Sequence, residues 1–244
     1  MSALMRMRNW SRNCFKKIFN EDIYGYIEKR FFPIVFKQMG EMHGRVLDAA
    51  CGFGNPYLEK LNINSSLTIG LDIDPGVNKK NRLHQKFIIE DLHNFNSERH
   101  FDYIISVNTW EHLHSPNLVL KNFFNVLSNK GILIIIAPQR WHYIACLERL
   151  LPSYLKDMAW KVLKSQKKMP YPAYYNLCSK RELSLEARRQ GFMVEHFSSI
   201  EGPPIWFARI PPLFILMCLW MSLVNKYKVF ENIRGTFIAV LKKV

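Results

Sequence analysis

The chain has 244 residues, 48% hydrophobic and 14% aromatic, with 34 Lys and Arg against 20 Asp and Glu, a formal net charge of +14. That apolar content excludes a largely disordered chain and supplies the core of one α/β domain with additions. The five cysteines, Cys14, Cys51, Cys146, Cys178 and Cys218, are scattered and never form a Cys-x-x-Cys pair. A disulfide scaffold and a zinc ribbon are excluded on that ground, and a reducing, cytoplasmic setting is expected.

The N-terminus is basic but has no continuous apolar core ahead of a cleavage site, so no leader is expected. Residues 1–43 are predicted to form a helical extension. Met7, Trp10, Cys14 and Ile18 fall on one helical face, with Arg6, Arg8, Arg12, Lys16 and Lys17 around it. Such a basic amphipathic helix suits either a membrane surface or packing on the rest of the protein. Residues 44–244 are predicted to form the α/β domain. Arg45–Ala50, Leu67–Asp72, Lys86–Ile89, Phe101–Val107 and Gly131–Ala137 are short, β-branched apolar runs, as strands covered on both faces require. Between them, Pro116–Leu127 repeats Leu120, Phe123, Phe124 and Leu127 at helical spacing. This alternation predicts a Rossmann-like, doubly wound, mostly parallel sheet whose ligand binds beyond the carboxyl ends of the strands.

Beyond Pro138 the alternation stops, and residues 139–178 read as a lid insertion. Leu151, Tyr154, Leu155, Met158 and Val162 share a helical face there, with lysines 156, 161, 164, 167 and 168 elsewhere. A helix resumes at Ser179, with Ser179 and Glu182 as a capping box and Gly191 as its stop. Phe192–Ile200 and Gly235–Leu241 read as closing strands. Between them, 202–227 is an apolar insertion in which Ile210–Val224 is uncharged for fifteen residues. That is short of the ~20 needed to span a bilayer. A buried helix or an interfacial segment is expected, and Trp206, Phe207 and Trp220 suit an interface.

Charge follows the same division. Gly44 to Ala137 holds nine basic and nine acidic residues, residues 1–43 eight and four, and 138–244 seventeen and seven. The flanks, not the middle, are therefore expected to meet anything anionic. No nucleic-acid-binding module accompanies the charge, which leaves an anionic membrane surface as the better partner.

Val46-Leu47-Asp48-Ala49-Ala50-Cys51-Gly52-Phe53-Gly54 sits where the first strand turns toward a helix. Gly52 and Gly54 allow close backbone approach, Asn55 can cap the helix, and Pro56 suits its first turn. Tyr57 stands where a dinucleotide fingerprint places its third glycine, and no Gly-Lys-Ser/Thr run is present, so both of those phosphate-binding loops are disfavoured.

This segment resembles motif I of the class I S-adenosylmethionine-dependent methyltransferases, with Ala50 in place of the first glycine. The resemblance implies a seven-stranded sheet with the last strand antiparallel, and S-adenosylmethionine as cofactor. It places Asp48, Ala50, Cys51, Gly52 and Gly54 at the cofactor turn. Asp72, with Ile73 beside it, would hold the ribose hydroxyls, and Asp91, with Leu92, the adenine amine. At the end of strand four, Ser106–Leu113, which includes Asn108, resembles the family's Leu-Glu-His-Leu segment. Pro170–Asn176 is similar to a segment of small-molecule methyltransferases, in which Tyr174 and Tyr175 either line a pocket or anchor the lid by burial.

Methyl transfer to a hydroxyl also calls for a base, for which His112 and then His142 are the candidates. His112 serves equally well as a structural residue, Glu111 reads as an orienting group, and His114 as structural. The spacing of Glu111, His112 and His114 matches no metal-ligand signature. The expected activity is methyl transfer, on oxygen first, to a small-molecule, lipid-linked or glycan acceptor. The rival is a non-catalytic binding or membrane-scaffold protein on the same fold.

Overall fold

The computed structural model describes residues 3–39, 44–61, 68–77, 81, 83–84, 86–152 and 171–244. Two helices come first, α1 (Ala3–Phe19) and α2 (Tyr26–Met39), followed by β1 (Val46–Ala49), α3 (Pro56–Leu61), β2 (Thr68–Asp72), β3 (Lys86–Ile89) and β4 (Phe101–Val107). A short 3₁₀ turn at Trp110–His112 leads to α4 (Pro116–Val126), β5 (Leu127–Pro138) and α5 (Tyr143–Leu150). The chain closes with α6 (Lys180–Arg189), β6 (Phe192–Ile200), α7 (Pro211–Lys226) and β7 (Thr236–Lys243). Leu67, the first residue of the expected second strand, and residues 154–168 of the expected lid helix lie outside the described residues.

The seven strands form one sheet in the order β3-β2-β1-β4-β5-β7-β6. β1 to β5 are parallel, and β7 runs antiparallel between β5 and β6. The connections leave β1 toward β2 on one side and β4 toward β5 on the other. The switch point lies between β1 and β4, where ligands of such sheets bind.

Period-two alternation splits the core into two layers. Leu47, Ile104, Leu133 and Ile135 face α4 (Leu120, Phe123) and α6 (Leu183, Ala187). Their neighbours Val46, Ile105, Ile134 and Ile136 face Phe31, Val35 and Met39 of α2 with Tyr57 and Leu58 of α3. Helix α2, read from sequence as part of an extension, is thus half the cover of one sheet face. A third cluster joins Phe15 of α1 and Tyr26 of α2 to Phe214, Cys218 and Met221 of α7. The C-terminal end of α7 is tied down by Arg234, which donates to the carbonyls of Val224 (3.0 Å) and Ser199 (2.9 Å).

The start of β5 and the form of one helix cap differ from expectation. β5 begins at Leu127 rather than Gly131, with Lys130 at φ +63° and a shift of register against β4 between Phe101 and Tyr103. The polar Ser128-Asn129-Lys130 reads as a turn, yet a bulge keeps it in the ladder. The capping box also departs from its usual form. The Glu182 N–H donates to Ser179 Oγ (3.4 Å), but the Glu182 carboxylate accepts from the Ser179 hydroxyl (2.9 Å) and from Arg140 (3.0 Å) rather than from the cap N–H.

Candidate active site

At the end of β1 the backbone enters the left-handed region at Ala50 (φ +58°) and again at Gly52 (φ +48°). The first is the position where motif I carries glycine, so Ala50 is held in a conformation that L-residues disfavour. A Cβ on Gly52 would meet nothing within 4 Å, so the glycine serves the turn and leaves open space above it. The Gly52 N–H donates to Asp72 Oδ2 (2.9 Å) and the Asp74 N–H to Asp72 Oδ1 (2.9 Å). Each carboxylate oxygen of Asp72 is thereby fixed by one backbone donor, at the end of β2 and beside the turn.

Beneath the turn lies a buried polar trio. Asp48 Oδ1 accepts from Asn55 Nδ2 (2.8 Å), and Asp48 Oδ2 is 2.8 Å from His84 Nε2, with both side chains almost fully buried. Since a carboxylate only accepts, His84 Nε2 carries the proton. Asn55 in turn accepts through Oδ1 from the N–H groups of Tyr57 (3.1 Å) and Leu58 (3.4 Å), capping α3 as expected. Asn81 Nδ2 braces the turn from below by donating to Gly52 O (3.0 Å). The Cys51 thiol is pushed up to about 12 by burial first and then by Asp48 and Asp72, so it is no nucleophile near neutrality.

Above the turn opens a cavity of about 660 Å³. Asp48, Ala50, Cys51, Gly52, Gly54, Asp72, Ile73, Asp91, Leu92, Asn108 and His112 all line it, as do Tyr171, Pro172 and Tyr174 from beyond β5. Asp91 Oδ1 accepts from both the N–H (2.9 Å) and Nδ1 (2.7 Å) of His93. Burial would raise the Asp91 pKa, but these bonds outweigh it and hold the carboxyl below its ordinary value. His93 also stacks on His114, with ring centroids 3.9 Å apart. His114 therefore forms part of the wall.

His112 Nδ1 lies 2.8 Å from the Pro172 carbonyl. A carbonyl can only accept, so Nδ1 carries the proton and, in the neutral ring, Nε2 keeps its lone pair. Behind His112 is Glu111, whose Oε1 is 3.8 Å from His112 Nε2. The Glu111 carbonyl accepts from the N–H groups of Tyr174 (2.7 Å) and Tyr175 (3.1 Å), fastening the returning 171–178 segment to the end of β4. The two tyrosines then divide the roles left open by sequence. Tyr174 lines the cavity, whereas Tyr175 is buried and donates to Glu148 Oε2 (2.6 Å). His142 does not line the cavity. It precedes α5 with Nε2 3.0 Å from the buried Glu201 Oε1 and its ring against Tyr143.

Burial raises the Glu111 pKa above its ordinary value, and the nearby His112 lowers it by less. The folded state therefore holds this proton more tightly than the unfolded chain does. The resulting stability is fully present below the ordinary value of 4.5 and is lost as pH rises through the raised one. Glu111→Gln removes the titration. Its stability relative to wild type, measured by urea midpoints, is expected to improve from acid to neutral pH; a pH-independent difference would show that Glu111 ionises in the native state as easily as in the unfolded one.

The sheet order, the glycine turn after β1 and the acid closing β2 define the class I fold of S-adenosylmethionine-dependent methyltransferases. The methyltransferase-domain family model matches residues 24–196, and the chain belongs to that family. That match begins at the threshold of α2, the helix found to cover the sheet. No curated protein matches the chain. Among solved structures, an S-adenosylmethionine-dependent methyltransferase from Mesorhizobium loti is similar with a TM-score of 0.59 and 14% identity, over 87% of this chain and 97% of that one. The N-methyltransferase NodS from Bradyrhizobium japonicum WM9, in complex with S-adenosyl-L-homocysteine, gives 0.53 and 12%, over 88% and 86%. The [4+2]-cyclase SpnF gives 0.55 and 15%, over 88% and 80%. At these identities the likeness is one of fold, and chemistry has to be argued from the site.

Proposed function

We propose that the chain transfers a methyl group from S-adenosylmethionine to an oxygen of a small-molecule, lipid-linked or glycan acceptor, with His112 as the base. The observation that carries this reading is the meeting, in one cavity, of the Asp72-braced glycine turn and a histidine whose tautomer is set by the Pro172 carbonyl. The cavity accommodates a nucleoside-sized group against bare backbone at Gly52. Asp72 retains acceptor capacity for two hydroxyls, and Asp91 for an amine. When bound, the cofactor supplies a methyl group already activated by its sulfonium.

The chain's own residues position the reactants and move a proton. Positioning alone can contribute up to ~7–11 kcal/mol to such a displacement. His112 Nε2 is the lone pair free to take the proton of an acceptor hydroxyl, and the charge then formed on the ring sits beside Glu111 Oε1. Tyr171, Pro172 and Tyr174 line the cavity beside His112, with the His112 and Tyr171 ring centroids 6.1 Å apart.

Calorimetric titration of S-adenosylmethionine into the purified chain tests the cofactor half, with micromolar affinity expected. For the base, His112→Ala is expected to leave that affinity within a few-fold. It should lower transfer of labelled methyl into a lipid and small-molecule extract by ~10²–10⁴. A folded chain that binds no cofactor would sink the whole proposal, and a fully active His112→Ala would remove the base.

A further inference from the structure

Neither α1 nor α7 contributes to the cavity wall. The two helices pack on one another through Phe15, Phe214 and Met221, and Ser11 Oγ donates to Ala208 O (2.9 Å) just ahead of α7. This packing uses one side of α7. On the other side Leu216, Leu219 and Leu223 follow one another at helical steps, with Ile215 beside them. Leu216 is 59% and Leu219 64% exposed. Single exposed leucines are ordinary on a protein surface, but an unbroken row marks an interaction face. On α1, Trp10 (45%) and Ile18 (55%) are exposed apolar residues as well.

The two helices themselves carry cations and no acid. α1 carries Arg6, Arg8, Arg12, Lys16 and Lys17 with no acid, and all five are exposed. α7 is uncharged up to Lys226, its last residue, and Lys228 follows. The acids nearest in sequence to α1 are both ion-paired, Asp22 with Arg12 and Glu21 with Arg30 and Lys29.

We propose that this face docks on an anionic phospholipid bilayer, with α1 and α7 lying in the headgroup plane. An exposed leucine row on one helix, packed against a second helix rich in exposed cations, is the pattern of helices that sit in that plane. A second copy of the chain is the poorer occupant, because a two-fold contact would set one basic α1 beside another. The helices lie on the bilayer rather than cross it. α7 has 16 residues, about 24 Å, against a hydrocarbon core of ~30 Å. Among the described residues no helix is long and apolar enough to cross a membrane. Ile27 of α2 packs against the cluster beneath these helices and also lines the cavity, so one side chain links the packed side of α7 to the cavity.

Sedimentation of the full chain with phosphatidylcholine vesicles, with and without phosphatidylglycerol, at low and high salt tests the proposal. At low salt the anionic vesicles are expected to hold the chain at least about tenfold better than neutral ones, since each Lys or Arg near the surface contributes about five-fold. Leu216→Glu/Leu219→Glu and Arg6→Glu/Lys17→Glu are each expected to reduce that binding by about tenfold or more. All four side chains are exposed and outside the cavity, so S-adenosylmethionine binding and the unfolding midpoint should stay at wild-type values and certify the fold. Equal sedimentation of wild type and variants, or none with anionic vesicles, would overturn the proposal. So would a dimer in sedimentation velocity that Leu216→Glu/Leu219→Glu dissolves, since the face would then be covered by a second copy. Vesicle binding is read without methyl transfer, so its failure and a failure of the methyltransferase reading are separately visible.

Discussion

Asp72→Ala is expected to lower S-adenosylmethionine affinity at least about 100-fold in a chain that still folds. Hydrogen bonds to a charged group each contribute about 1.5–3 kcal/mol, and the proposed role of Asp72 is to accept two of them from the ribose. The side chain also organises its own site, because it holds the N–H groups of Gly52 and Asp74 at 2.9 Å. Its removal thus loosens the glycine turn against which the cofactor would lie. Asp72 borders the cavity, so water can satisfy the two released donors and the global fold should be spared. Calorimetry gives the affinity and a thermal melt the control. Unchanged affinity in a folded variant would mean that the cofactor does not use the end of β2.

Asp48→Ala is expected to produce the largest stability loss of any polar substitution at the site, about 3–5 kcal/mol. It leaves the buried His84 Nε2 and Asn55 Nδ2 without their acceptor. The loss would spread upward, since Asn55 caps α3 and the turn above lines the cavity. Urea midpoints of Asp48→Ala, His84→Ala and the double variant form the cycle that checks this. Strongly non-additive losses are expected. Additive ones would show that Asp48 and His84 contribute independently.

Most of this architecture is written locally. Arg45–Ala50 and Phe101–Val107 announce buried strands by short, mostly apolar runs, and Gly52 and Gly54 announce the turn. Asn55 and Pro56 open α3 within three residues of that turn. The acids of the candidate site, which the family resemblance singled out, stand at strand ends, where the parallel sheet brings Asp72 and Asp91 to the cavity. By contrast, His84 and Asn81 carry no sequence signal, although one supports Asp48 and the other Gly52. Their partners are 36 and 29 positions away, and only closure of the parallel sheet puts them in reach. His112 was legible as a candidate, but the carbonyl that sets its tautomer comes from Pro172, 60 residues on. His142 looked similar on the page and faces Glu201 instead.

The apolar segment near the C-terminus shows the same divide from another side. Its length and lack of charge already placed it below a membrane span. Which side of α7 is covered was not legible, because a helix that is apolar all round carries no phase in its periodicity. Packing against Phe15 and Tyr26 chose that side, burying Phe214, Cys218 and Met221 and leaving Leu216, Leu219 and Leu223 outward. Strand runs, turn glycines and helix caps depend on neighbours a few residues apart, so the chain alone specifies them. Pairings of distant polar groups and the exposed side of a uniformly apolar helix depend on what the finished sheet brings alongside, and only the folded structure decides them.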